Sequence, residues 1–341
     1  MKSGLINLKR IIGLIIFFVI SCSTAKSTKE FKYPEQYYDV ARNFAPLLKQ
    51  SYASKYDIPT RFDFDGDYIG NNNWENAASY QTFPAYAYFD VKETKTHYFI
   101  HYGYFYPRDW LDDCEKPPTL ENCHENDYES LLVVVKKDEQ DKIITYEVRA
   151  HIFLNIYIED NKIYQNAISK GDKPDNANFR NYVEMYNKTH PVLYAEAHGH
   201  GRYGSLQDML EKNEWFENSI LKLEVGVSPS YPTGPGNYQY DLLNIYETFW
   251  PYKDNTGNGK TFDGPFFDWE YNGNGIKFIL PANMDGDISG KNFEADGSSA
   301  PWGFEKGDWF LNPAYVIQKR LGLAETEMST EYIFNPYIQI K

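Results

Sequence analysis

Asp109, His124, Asp127 and Glu129 place three carboxylates and one imidazole within the 21 residues from 109 to 129. Oxygen donors supplemented by a single imidazole suit a divalent cation, calcium or magnesium first and manganese next. Asp127 and Glu129 are two apart at the mouth of the apolar run SLLVVV. In an extended chain both side chains therefore leave the same face. Asp109 and His124 can fold over that face from the loop that joins them. The alternative is a solvated acidic loop of no special chemistry.

A second acidic stretch, RFDFDGDYIGNNN, alternates Asp63, Asp65 and Asp67 like the start of an EF-hand loop. It fails that pattern at its sixth position, Tyr68 instead of glycine, and at its twelfth, Trp74 instead of glutamate. A turn with Asn71, Asn72 and Asn73 could still hold calcium; a plain polar turn is the other reading. The string DGDxxGxN recurs at 285–292. His198 and His200, in THPVLYAEAHGHGRYG, share a face beside Glu196 if that segment is extended, and the three are candidates to line a ligand cavity. His97 and His101, four apart, share a face of one strand, and His151 reads as a packed core residue. The chain has no GxSxG elbow, no Gly-rich phosphate loop, no HExxH and no Cys/His redox motif, so serine or cysteine nucleophile chemistry has no basis here.

The elements that must position these groups read as strands. Aromatics make up 17% of the chain, with 30 Tyr and 22 Phe, alternating with polar residues as half-buried strands do. Hairpins are expected from AYAYFDV to HYFIHYGYFYP and from SLLVVVKK to IITYEVRAHIFLNIYI, with a short strand at KIYQ. Further strands are expected at LKLEVGV, YDLLNIYETFW and IKFILPA. Apolar spacing predicts a helix over 33–53, and FLNPAYVIQKRLG predicts a second near the end, with Pro313 at its start and Gly322 closing it. No linker divides residues 33–335. The expected fold is all-β, a two-sheet β-sandwich with a short helix near each end, in one domain over 33–341.

The amino terminus carries Lys2, Lys9 and Arg10 before the ten apolar residues Ile11–Ile20. That is a secretory signal over 1–21, too short to span a bilayer. Val19-Ile20-Ser21-Cys22 resembles a bacterial lipobox, which makes Cys22 the lipidated residue of a membrane-anchored lipoprotein; 22–32 is a polar tether. The absence of Asp after Cys22 points to the outer membrane. Export makes a disulfide between Cys114 and Cys123 the expected state, with two free thiols as the alternative. Such a bridge would staple the loop between Asp109 and His124. The formal charge is −14, which repels nucleic acid and excludes it as a partner.

YGYFYPRD followed by CHENDYESLLVVV resembles the necrosis-inducing (NPP1-type) proteins, whose signature is a Tyr-rich strand, a Pro-Lys-Asp and the heptapeptide GHRHDWE. THPVLYAEAHGHGRY is similar to a stretch of their vacuolar-protein-sorting-associated relatives. The resemblance covers residues 85–204. It implies a β-sandwich with an acidic divalent-metal cavity, and plant-toxic members bind sphingolipid glycan heads and permeabilise membranes. Position by position, it falls on Asp109, His124, Asp127 and Glu129. It departs at Cys123, Glu125, Asn126 and Tyr128, where the motif has Gly, Arg, His and Trp. The implied metal shell is kept and its neighbours are changed, which weakens transfer of toxicity. Three functions follow: a metal-assisted binder of a polar ligand such as a glycan or lipid head group, a metal-dependent hydrolase, or a structural envelope protein with a stabilising calcium.

Overall fold

The computed structural model describes residues 31–110, 123–138, 140–150, 153–212, 219–271, 275–287, 299–303 and 306–338. The signal segment, most of the tether, Cys22, Cys114 and His151 lie outside the described residues.

The strands are β1 Leu47–Ser51, β2 Tyr86–Thr94, β3 His97–Asp109, β4 His124–Lys136, β5 Lys142–Ala150, β6 Phe153–Tyr157, β7 Ala177–Arg180, β8 Met185–Tyr186, β9 His190–Ala195, β10 Arg202–Tyr203, β11 Ile220–Val225, β12 Gly236–Asn244, β13 Phe262–Glu270, β14 Lys277–Met284 and β15 Tyr332–Phe334. The helices are α1 Gln36–Phe44, α2 Asn73–Ala78, α3 Asn161–Lys170, α4 Leu206–Lys212, α5 Ile245–Thr248, α6 Gly307–Leu311 and α7 Pro313–Leu321. Thirteen strands make one mixed sheet in the order β10-β9-β1-β11-β12-β2-β3-β4-β5-β6-β7, with β15 on β2 and β8 on β9; β13 and β14 form a separate ribbon. The fold is mostly β, as its aromatic alternation predicts. Its layout is a curled sheet with a small ribbon and several short helices. The curl is visible where the Tyr146 hydroxyl of β5 donates to the Gly204 carbonyl beyond β10, at 2.9 Å.

Three expectations fail for local reasons. The helix over 33–53 stops at Phe44 because Ala45 precedes Pro46 and is extended (φ −61°, ψ 135°), as a residue before proline must be. LLKQS then joins the sheet as β1. KIYQ lies in α3, started by the Asp160 carboxylate, which accepts from Lys162 N at 2.8 Å and Ile163 N at 3.0 Å. YDLLNIYETFW is a strand only as far as Asn244, which caps α5 by accepting from Glu247 N at 3.1 Å.

Several buried tyrosines cross-link the core through their hydroxyls. Tyr102 donates to Ala41 O at 2.7 Å and Tyr240 to Pro46 O at 2.6 Å, while Tyr88 accepts from Phe62 N at 2.7 Å. A phenol buries a large apolar ring and still satisfies its polar tip, so a Tyr-rich strand can be wholly internal. Behind the sheet, Asp90 and Lys92 form an ion pair with both side chains at most 1% exposed.

His97, buried at the start of β3, is pushed down to about 4 by burial and by Lys136 and Lys137. Its folded value lies below its unfolded one. Its contribution is therefore complete above about pH 6.5 and is lost as pH falls towards 4, on the order of 3 kcal/mol. His97→Gln is expected to flatten the acid limb of a stability-against-pH curve from chemical denaturation. An unchanged limb would refute the assignment.

Candidate metal centre and ligand cavity

β3 and β4 pair antiparallel with Tyr104 opposite Glu129, Tyr106 opposite Asp127 and Asp109 opposite His124. Paired residues share a face, so Asp127 and Glu129 stand on the same side as Tyr104 and Tyr106. The predicted strand geometry is therefore present, although β4 begins at His124, six residues earlier than the apolar run.

His124 Nε2 lies 3.2 Å from Asp109 Oδ2, and its Nδ1 is 3.0 Å from the Asn126 carbonyl. Burial opposes the imidazolium, but Asp109 and then Asp127 outweigh it and raise His124 to about 9. Asp127 is reached from the other side of the sequence: its Oδ2 is 2.8 Å from His200 Nδ1. His200 Nε2 is 3.3 Å from Asp57 Oδ1. The His200 ring stacks on Tyr106 at 3.7 Å and 2°. Burial lowers His200 as well, and its hydrogen bonds to Asp127 and Asp57 overcome this and raise it to about 9.

Tyr106 is fixed in turn by donating to Gln50 Oε1 at 2.7 Å and accepting from Arg202 Nη2 at 2.5 Å. Glu196 is buried, and its carbonyl accepts from Gln50 Nε2 at 2.7 Å. Burial, followed by the charges of Glu196 and Glu129, pushes the Tyr203 phenol up.

His198 and His200 do not lie on a strand. β9 ends at Ala195, and both histidines have positive φ, 69° and 52°, in a turn around Gly199. Their side chains therefore part company. His200 enters the buried array, whereas His198 packs on Trp110 at 4.3 Å and donates its backbone N–H to Asp57 Oδ1 at 2.8 Å. Such backbone strain in non-glycine residues concentrates at functional turns.

The three loop aspartates engage different partners. Arg61 clasps Asp63 with two bonds of 2.7 and 2.5 Å, Asp65 accepts from Asn76 at 2.6 Å, and Asp67 accepts from Ile69 N at 2.8 Å.

The positions that depart from the resembling heptapeptide have a task of their own. Glu125 accepts from Trp74 N at 2.7 Å and Asp287 N at 2.9 Å, and burial pushes it up to about 7. Asn126 donates to Gly70 O at 2.8 Å and Asp285 O at 2.6 Å and accepts from Asn73 Nδ2 at 2.6 Å. These bonds tie the segments of the two DGD turns, 220 residues apart (65 against 285), to the strand that bears the site. The close approach explains Gly70, where a Cβ would stand 2.3 Å from Asp285 O.

A divalent cation is compatible with this donor set. His124 holds its Nδ1 on backbone carbonyls and turns Nε2 to Asp109; to hold an ion it would give up the Nε2 proton that it now shares with that carboxylate. Asp127 meets His200 through one oxygen only, and Glu129 follows on the same face. Among the described residues, no three His, Cys, Asp or Glu side chains are already drawn together as a ligand cage. Sequence reasoning missed Asp57, Gln50, Tyr106, Arg202 and Trp110. Only Asp57 left a signal, the capping box Ser54-Lys55-Tyr56-Asp57.

No protein-family model and no curated protein sequence matches the chain. Among solved structures it is similar to one described as a toxin fold for microbial attack and plant defense, at 15% identity over 60% of this chain and 72% of that one, TM-score 0.31. It is also similar to NLPPya in complex with glucosamine, at 14% identity over 60% and 72%, TM-score 0.30. A third is Necrosis and Ethylene inducing Protein 2 from the causal agent of cocoa's Witches Broom disease, at 13% identity over 61% and 73%, TM-score 0.29.

Proposed function

We propose that the chain is a lipoprotein anchored in a bacterial envelope, most naturally the outer membrane, through Cys22. In this reading it uses a divalent cation on Asp109, His124, Asp127 and Glu129 to bind a polar ligand such as a glycan or lipid head group. A Cys114–Cys123 disulfide would hold the loop over the site; Cys123 is buried where β4 begins.

The observation that supports this most is the double clamp. One imidazole is fastened to Asp109 and another to Asp127, from segments that meet only in the fold. The two imidazoles fix the direction in which the Asp109 and Asp127 carboxylates point. Calcium or magnesium would supply positive charge at which ligand oxygens could coordinate. His200 would orient Asp127, and Tyr106 would exclude water behind it.

The secreted form from Ser23 onward is expected to bind one calcium or magnesium ion. Its melting temperature should rise by about 5 °C at a hundredfold excess over Kd, the equivalent of about 2.7 kcal/mol. Asp127→Ala/Glu129→Ala is expected to show neither effect. Absence of ion binding by the parent protein would refute the metal centre.

A further inference from the structure

Arg202 is fully buried in the short strand β10, where it stands opposite Ala195 of β9. Its guanidinium rests on two tyrosines of β3. The guanidinium carbon is 4.2 Å from the centre of the Tyr104 ring and 5.4 Å from that of Tyr106. Those two residues stand opposite Glu129 and Asp127, so the cation lies on the face of the candidate ligands. Nη2 donates to the Tyr106 hydroxyl at 2.5 Å. Nε and Nη1 have no hydrogen-bond partner, and among the described residues no carboxylate pairs with the guanidinium.

Such a side chain contributes little to stability. Buried donors without acceptors and a buried cation without a counter-ion both cost free energy, and an apolar side chain would fill the same place without either cost. Stacking on Tyr104 offsets part of it. What arginine adds is a fixed direction, because its planar group holds the Tyr106 hydroxyl from one side while that hydroxyl donates to Gln50 Oε1 at 2.7 Å on the other. With its tip pinned, the Tyr106 ring is a flat support. The His200 ring lies on it at 3.7 Å and 2°, and His200 meets Asp127 Oδ2 at 2.8 Å and Asp57 Oδ1 at 3.3 Å. Contact is thus continuous from Arg202 through Tyr106 and His200 to Asp127.

We propose that Arg202 is a positioning residue of the site: through Tyr106 it fixes the plane of His200 and so the direction of Asp127, and this favours magnesium over calcium. The ion preference rests on the divalent-cation reading above; the positioning of His200 does not. Magnesium demands near-ideal octahedral geometry, whereas calcium accepts variable coordination. A carboxylate left free to swing therefore weakens magnesium binding more than calcium binding.

The test uses the full chain in detergent. Arg202→Met keeps a long side chain and removes every donor; Tyr106→Phe keeps the ring and removes the hydroxyl. NMR of ring-labelled histidine, thermal melting without divalent ion, and calorimetric titration with magnesium and with calcium are compared with the parent. In the ion-free parent the His200 ring protons should be shielded by the Tyr106 ring. In Arg202→Met they are expected to move downfield, while the ion-free melting temperature stays at or above that of the parent. The magnesium Kd is expected to rise about tenfold or more, as for other residues that orient a metal ligand, and the calcium Kd by less. Tyr106→Phe should act in the same direction, and the double variant should add nothing further. Parent-like His200 shifts in Arg202→Met, a lowered melting temperature with an unchanged preference between the ions, or additive effects of the two substitutions would overturn the proposal. If the parent binds neither ion, the metal centre fails, and the His200 shifts alone decide whether Arg202 positions that ring.

Discussion

Asn126→Ala is expected to destabilise the fold by about 4 kcal/mol, measured as a lower denaturation midpoint at unchanged slope. The side chain is fully buried and makes three hydrogen bonds to Asn73, Gly70 and Asp285. Removing it leaves two backbone carbonyls and one amide without partners, at about 1–3 kcal/mol each. The backbone adds a separate contribution. Asn126 has φ 58° within β4, a conformation that asparagine tolerates and alanine resists by about 1 kcal/mol. Asn126→Gly should relieve that strain and still lose the hydrogen bonds, so it should fall between parent and alanine. If alanine and glycine cost less than about 1 kcal/mol each, the two DGD turns do not depend on this residue. Asn126→His, which restores the histidine of the resembling heptapeptide, should not rescue stability, because an imidazole cannot make two donations and one acceptance at these places.

The same residue shows how much of the molecule was legible in the sequence. The face shared by Asp127 and Glu129 follows from strand period alone, and the structure has it. The recurrence of DGDxxGxN is only an echo in the sequence; in the fold Gly70 of the first copy and Asp285 and Asp287, in the described part of the second, meet at Glu125 and Asn126. Nothing local says that the echoes meet, because contact between residues 70 and 285 is decided by sheet order. His200 was legible as a polar residue in a Gly-rich turn. Its partner Asp57 was not, because a capping aspartate in a short 3-10 turn looks the same whether or not a histidine arrives from elsewhere. The helix expected over 33–53 failed at a visible signal: Pro46 sets Ala45 extended, and the apolar spacing of LLKQS then belongs to a buried strand. The strand expected at KIYQ lost to the Asp160 cap, a stronger local instruction than four residues of alternation.

Asp57→Ala is expected to have the largest effect at the site, about 4–5 kcal/mol in stability together with loss of any ion-dependent melting shift. This carboxylate is fully buried. Its Oδ2 accepts from Ala53 N at 2.7 Å and Ser54 N at 2.9 Å. Its Oδ1 accepts from His198 N at 2.8 Å and Trp110 Nε1 at 3.3 Å, and stands 3.3 Å from His200 Nε2. Burial raises its pKa, but the His200 bond and charge, then the Ser54 and His198 amides, overcome that and hold it below the usual carboxylate range. Removing one partner of a buried charged pair leaves the other uncompensated, at about 3–5 kcal/mol, and two strand-end amides lose their acceptor as well. Asp57→Asn separates shape from charge. It keeps one acceptor oxygen but turns an amide towards either the Ala53 and Ser54 N–H groups or His200, so it should recover part of the packing and little of the His200 interaction. The decisive readout is the imidazole itself: the NMR titration of His200 should move to lower pH in Asp57→Asn, because one of its two carboxylates has lost its charge. An unchanged His200 titration would mean that Asp127 alone sets its charge, and that Asp57 only closes the turn beneath it.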